Sequence, residues 1–388
     1  MPFCQLLAYS PTGMSTRRSY AALDGLRFLS AAAVIICHSF QDVAISGGSE
    51  AERPLNALIV HAGRFGVDTF FSISGFLIAG ILLDERASRG RVDLKRFYIR
   101  RTLRIWPNYY AALLIGFGVA AVLGARGAHA FGYEPGHALF VLGLPKWLLF
   151  VGNWGPAYAP AAVAVLWSVC VEEQFYVWFP LALACVRGPY PAFTPVALGL
   201  LAALASRLPQ FSWWPPYYNT IGHADNILLG VALAQAFRWR PELVKGIFSR
   251  AGVAGELAVL LALAFLVINL TRMERLAYGR VVTYLGSGLL STCLVGLMAF
   301  GQGPLASLRS ARLPRALGNL TYATYCFHWY VLPPVWRLSL ILNLGTWPAA
   351  IFRAAIALPL SFGVGYLCWI TYERRILRLK DRFTSPQP

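Results

Sequence analysis

Ten stretches of this chain stay apolar for about 17–25 residues at a time, the length a helix needs to cross the hydrocarbon of a bilayer. They fall at 22–42, 65–84, 107–125, 164–186, 191–207, 222–238, 251–271, 280–301, 317–341 and 348–371. Composition agrees: 57% of the 388 residues are hydrophobic, 13% are charged and the mean hydropathy is +0.55, whereas a soluble domain is about 45–50% apolar and about 25% charged. The expected fold is all-α, a polytopic integral membrane protein of about ten transmembrane helices.

The formal net charge of +17 would point to nucleic acid in a soluble chain, but here the basic residues sort by side. With both termini inside, the inner face collects Arg17, Arg18, Arg27, eight residues between 86 and 104, Arg187, four from 238 to 250, three from 309 to 315 and five in the tail, 24 of 34 in all. The positive-inside rule then selects an N-in, C-in orientation with an even number of spans. The excess also suits anionic headgroups of the bilayer, and no nucleic-acid partner is expected. Residues 1–20 lack the order of a cleaved signal, so the first span is expected to act as an anchor. The division expected is a cytoplasmic segment over 1–20, a membrane domain over 21–373 and a basic cytoplasmic tail over 374–388. Seven scattered cysteines without a C-x-x-C predict neither disulfides nor a metal site.

Two long outer loops, 126–163 and 208–221, contain KWLLFVGNWGPAYAP and QFSWWPPYYNT. They are open to two readings, an interfacial aromatic belt or a platform for sugar rings or an apolar acceptor. The largest inner loop spans 84–110; its final part reads as helical until Pro107, which restricts Trp106 and marks the start of the next element.

Ionisable residues inside spans are functional-site candidates by default. In LDGLRFLSAAAVIICHSF, Arg27 and His38 are eleven positions apart; at about 100° per residue they share a helix face, separated by ~16 Å of rise. Asp24 lies near the same face, within reach of Arg27. Taken alone, Asp24 and Arg27 also fit an interfacial cap and ion pair, and His38 a hydrogen-bonded structural histidine. The small residues of GRFGVDTFFSISGFLIAGILL allow close helix approach, or Ser74 and Gly75 expose hydroxyl and backbone to a ligand. Glu172 and Glu173 lie inside LWSVCVEEQFYVWFPL and, pointing about 100° apart, cannot share one pocket equally. One is expected to face a polar interior, the other to partner an arginine. Arg101 and Arg104 share a face beside Arg100 and form a fork suited to phosphate oxygens, though they also serve as topology signals. Tyr322, Tyr325 and His328 share a face of the ninth span; Tyr325 and His328 are candidate pore-lining residues, with a structural hydrogen bond open to His328.

These segments together resemble the membrane-bound acyltransferase 3 family. LDGLRFLSAAAVIICH is similar to its opening arginine and histidine motif, GRFGVDTFFSISGFLI to its second-helix motif, FYIRRTLRIWPNYY to its R-x-x-R motif and LWSVCVEEQFYVWFPL to its Trp-Ser and Glu-Glu segment. LTYATYCFHWYV and YERRI resemble its late helix and terminus. The resemblance implies transfer of acyl groups, most often acetyl, from cytoplasmic acyl-CoA to hydroxyls of surface saccharides, lipopolysaccharide or peptidoglycan, in the bacterial cytoplasmic (inner) membrane. It implies no tightly bound cofactor, acyl-CoA as donor substrate, a saccharide or lipid-linked saccharide acceptor and, since some members carry an extracytoplasmic hydrolase-like domain, a separate chain for any such partner. On this reading Arg101, Arg104 and Arg100 hold the donor phosphates with Ser74 and Gly75 nearby. His38 is the general base or acyl carrier, Asp24 and Arg27 organise the pore entrance, and Glu172 or Glu173 orients a partner. The competing expectation is a secondary transporter or flippase of a lipid-linked sugar, which also needs ionisable groups near the midplane.

Overall fold

The computed structural model describes residues 21–41, 53–130, 137–154, 159–186, 188, 190–208, 217–276, 278–309 and 311–382. Segment 1–20, the larger part of loop 208–221 and the end of the tail lie outside them. The helices are α1 (Ala21–Ser39), α2 (Arg53–Arg89), α3 (Leu94–Ala130), α4 (His137–Leu148), α5 (Ala161–Ala164), α6 (Trp167–Cys185), α7 (Phe193–Ser206), α8 (Ala224–Trp239), α9 (Pro241–Glu274), α10 (Gly279–Phe300), α11 (Arg312–Ile341), α12 (Thr346–Cys368) and α13 (Arg374–Arg382). Among the described residues no strand occurs.

Every apolar segment of the sequence has its helix, but among the described residues six regions are long and apolar enough to cross a bilayer: α2, α3, α5 with α6, α9, α10, and α12 running into α13. The other four fall short of that standard or carry the polar residues described below. α7 and α8 have only 14 and 16 residues, while α1 and α11 are interrupted by charged, histidine and tyrosine side chains.

The inner loop expected over 84–110 is much shorter than the sequence suggested. α2 runs on to Arg89, and the chain turns through Gly90, whose φ of 71° suits a residue without Cβ. It re-enters a helix at Leu94, where the Asp93 side chain caps the first turn by accepting from the Arg96 amide at 2.9 Å. Pro107 does not begin an element but lies inside the 37-residue α3; proline is tolerated in a membrane helix because packed neighbours re-satisfy the freed carbonyl.

Paired side chains give the helix directions. α1 and α2 are antiparallel, since a Cβ on Gly63 would meet Cys37 and one on Gly66 would meet the Ser30 carbonyl. α8 and α10 run parallel to α2, because Asp68 is level with Asn226 and Ser287 while, further along, Ser72 is level with Thr292 and Asp84 with Arg238. α6 is parallel to α2 through the Ser74–Glu172 and Arg86–Leu183 pairs. α3 runs against α6 and alongside α11, and α12 runs back against α1 and α11. With no aqueous hydrophobic drive between helices in lipid, this bundle depends on close packing: Gly75 has the Ile227 carbonyl where a Cβ would be, and Gly230 has that of Ser72.

Candidate active site within the bundle

Helix α1 brings Asp24 and Arg27 to the end of the bundle where α1, α3 and α11 begin. Arg27 donates to Asp24 at 2.7 Å in a part-exposed pair. Beside them a cavity of about 110 Å³ is lined by Arg27, Ser74, Arg101, Arg104, Ser168, Glu172, Tyr176, Tyr322 and Tyr325 together with apolar residues of α2 and Thr321. Four helices besides α1 thus contribute to one space: α2, α3, α6 and α11.

Its polar wall is ordered. Glu172 accepts from the Ser74 hydroxyl at 2.7 Å and the Tyr176 hydroxyl at 3.0 Å, one on each carboxylate oxygen. Arg101 lies with its guanidinium 5.6 Å from the ring centroids of both Phe97 and Tyr176, an aromatic seat that leaves a planar cation beside the cavity. Arg104 is 3.8 Å from Glu373, which the π-helical turn Trp369–Glu373 buries to 3% exposure with neither carboxylate oxygen hydrogen-bonded. Three arginines and one carboxylate, Glu172, line the cavity, while Asp24 and Glu373 approach Arg27 and Arg104 from outside the lining.

At the far end, the Tyr325 hydroxyl is within 2.6 Å of Ser168 Oγ and donates to the Val165 carbonyl at 3.1 Å. One turn further along α11, His328 is fully buried; its Nδ1 is 2.6 Å from the Tyr325 carbonyl and its Nε2 is 2.9 Å from His38 Nδ1. His38 therefore stands beyond the cavity's Tyr325 wall, joined to it through His328, with Trp329 packed edge-on against its ring at 4.8 Å between centroids.

The sequence candidates separate on this frame. Arg27, Ser74, Arg101, Arg104, Glu172 and Tyr325 line one cavity, Asp24 is paired to Arg27, and His38 and His328 touch each other. The adjacent glutamates diverge as the helical period requires: Glu173 turns to α3, accepting from the Trp106 indole at 3.2 Å, so its hydrogen-bond donor is an indole and not an arginine. Gly75 faces the α8 backbone, and Arg100 is half-buried outside the cavity lining. Part of the two outer loops is visible: Asn153 donates to the Tyr218 carbonyl at 3.1 Å and to Thr220 at 3.0 Å, and Gln174 binds both loops.

A second polar cluster escaped the reading of the sequence. Asp68 accepts from Asn226 at 2.5 Å and from Ser287, and lies 3.3 Å from His223. Arg207 and Asp225 form a two-pronged pair, both contacts 2.7 Å, with both side chains fully buried. Opposite charges 18 residues apart at the facing ends of two apolar segments were the available signal.

Fold and site together define a multi-pass helical membrane protein with a cationic cavity inside the bundle. The acyltransferase 3 family model, described as an acyltransferase domain, matches residues 20–369, and the chain belongs to that family. It is 26% identical over 358 residues to the peptidoglycan O-acetyltransferase OatA of Listeria monocytogenes, covering 84% of this chain and 53% of that protein. It is 25% identical to the O-acetyltransferase OatA of Staphylococcus aureus, covering 82% and 51%, and 29% identical to a putative O-acetyltransferase of Staphylococcus aureus strain COL, covering 59% and 36%. The chain thus spans about half or less of the length of these curated relatives. No solved structure matches it.

Proposed function

We propose that this protein is an integral membrane O-acyltransferase that takes an acyl group, in the first instance acetyl, from cytoplasmic acyl-CoA and places it on a hydroxyl of a surface glycan. The observation that carries this reading is the cavity lined by Arg27, Arg101 and Arg104 together with Ser168 and Tyr325, behind whose Tyr325 wall His328 and His38 are joined by a hydrogen bond. Arginines hold phosphate oxygens in two-pronged geometry, so the arginine-lined cavity suits the charged head of the donor. The acceptor oxygen attacks the thioester carbon as His38 takes the hydroxyl proton; the C–O bond forms, the C–S bond breaks and the proton passes to the departing thiolate. The glycan acceptor is supported by the O-acetyltransferases to which the chain is similar.

The same proposal gives the chain ten crossings of a bacterial inner membrane, with both termini and the α13 tail in the cytoplasm. The reversal of helix direction between successive crossings and the arginine-rich start of α3 support it. An extracytoplasmic partner that receives or completes the transfer would be a separate chain or segment.

The test uses the purified full chain in lipid nanodiscs with [14C]acetyl-CoA and N-acetylglucosamine oligomers, alongside mass spectrometry of surface glycans with the gene deleted and restored. Label in the oligomers and an acetyl increment that disappears and returns are expected. Movement of a lipid-linked sugar without acetyl-CoA consumption would establish the transporter reading instead.

A further inference from the structure

The hydrogen-bond chain that ends at His38 has a direction, and the direction selects which nitrogen of His38 is free to act. A backbone carbonyl only accepts, so the 2.6 Å contact between His328 Nδ1 and the Tyr325 carbonyl places a proton on His328 Nδ1. A second proton on Nε2 would make His328 an imidazolium at 0% exposure. Its hydrogen-bond and ring contacts among the described residues are His38, Tyr325 and Trp329, none of them a carboxylate. A buried cation without a counter-charge is costly, so His328 is neutral and its Nε2 presents a lone pair. The 2.9 Å contact to His38 then needs its proton from the other side, on His38 Nδ1.

Ring geometry agrees. The two imidazole planes differ by only 6° and their centroids are 5.1 Å apart, which is the N···N distance extended by the two ring radii. The rings lie edge to edge in nearly one plane, so the shared proton sits along the lone-pair direction, and face stacking is excluded.

The geometry points to His328 as the positioning residue of this site: it locks His38 in the Nδ1–H tautomer and leaves His38 Nε2 as the unprotonated, acting nitrogen. The Tyr325 carbonyl orients His328, and His328 orients His38, a relay of the kind in which a second group holds a catalytic imidazole in one tautomer. Because His328 is neutral, it stabilises the imidazolium formed during transfer through the hydrogen bond alone. The role of Nε2 as base rests on the acyl-transfer reading above, whereas the tautomer does not.

The decisive measurement is nitrogen NMR of the full chain, labelled with 15N-histidine in nanodiscs at pH 8, with His38 assigned by the signals missing in His38→Gln. The expected spectrum has His38 protonated at Nδ1 and bare at Nε2. A proton on Nε2, alone or with one on Nδ1, overturns the inference. Kinetics with [14C]acetyl-CoA and N-acetylglucosamine oligomers supply the second arm. His328→Ala should lower kcat about a hundredfold with KM for acetyl-CoA unchanged within about twofold, and His328→Gln, whose amide both accepts and donates, should recover about tenfold of that loss. Equal kcat in all three proteins, or a loss confined to KM, removes the positioning role. If wild-type protein shows the Nδ1–H tautomer yet transfers no acetyl group, the acyl-transfer reading fails while the tautomer assignment stands.

Discussion

Two polar regions lie inside this apolar bundle, and they differ in what their charges are left to do. Around Asp68 and Arg207, charged and amide groups meet partners within the protein: Asp68 is held by Asn226 and Ser287, and Arg207 meets Asp225 through two contacts and also the Gly222 carbonyl. Around Arg27, Arg101 and Arg104 the cations border a cavity. A buried ion pair stabilises only the arrangement it closes, because removing either partner strands a charge. The cavity cations have partners too, Asp24 for Arg27 and Glu373 for Arg104, but they also border space that a ligand can enter. An ionisable residue in a membrane segment is thus a sign of chemistry only once its partners are known.

Substitutions can break or sharpen this contrast. The largest effect expected is His38→Ala, which should cut acetyl transfer about 10²–10⁴-fold while the protein inserts and keeps its thermal midpoint; near-normal transfer by the folded variant would take His38 out of the chemistry. Comparable in energy but opposite in kind, Arg207→Leu should cost about 3–5 kcal/mol of stability by stranding Asp225, read as lost monodisperse protein in size-exclusion chromatography and a lowered unfolding temperature. Arg101→Ala should raise KM for acetyl-CoA about tenfold, roughly 1.4 kcal/mol, with the unfolding temperature unmoved; an equal loss of stability would place Arg101 with the closed network. The smallest effect falls on the Lys245–Glu242 pair, which has the same 2.7 Å separation as Arg207–Asp225 but an 84% exposed glutamate side chain. Solvent screening and side-chain entropy should hold Glu242→Gln below about 1 kcal/mol, and a larger change would show that distance alone ranks these pairs.

Much of this architecture is legible along the chain. Apolar length marks where helices form, and the helical period separates Glu172 from Glu173 and sets Arg101 beside Arg104. The limits are equally specific. Pro107 and the basic run before it suggested a long loop, because local rules do not register the neighbours that let a membrane helix pass through proline. Asp68, Asn226 and Ser287 lie on three different segments, and nothing in their spacing announces that they meet. Gly75 illustrates both sides: its small size signals a close approach, but only the position of α8 shows that the approach is to the Ile227 carbonyl.

The sequence by itself determined an all-helical membrane protein, the order of its motifs and the residues from which a cationic site could be built, because these follow from apolar length and a period of about 3.6 residues within one helix. Only the tertiary structure decided that Glu172 and not Glu173 faces the cavity, that Arg104 approaches Glu373, and that His38 meets His328 from a helix 290 positions away. Rotation of each helix about its axis and its register against its neighbours are set by contacts between distant segments, such as glycine against backbone and histidine against histidine. No local pattern carries that information.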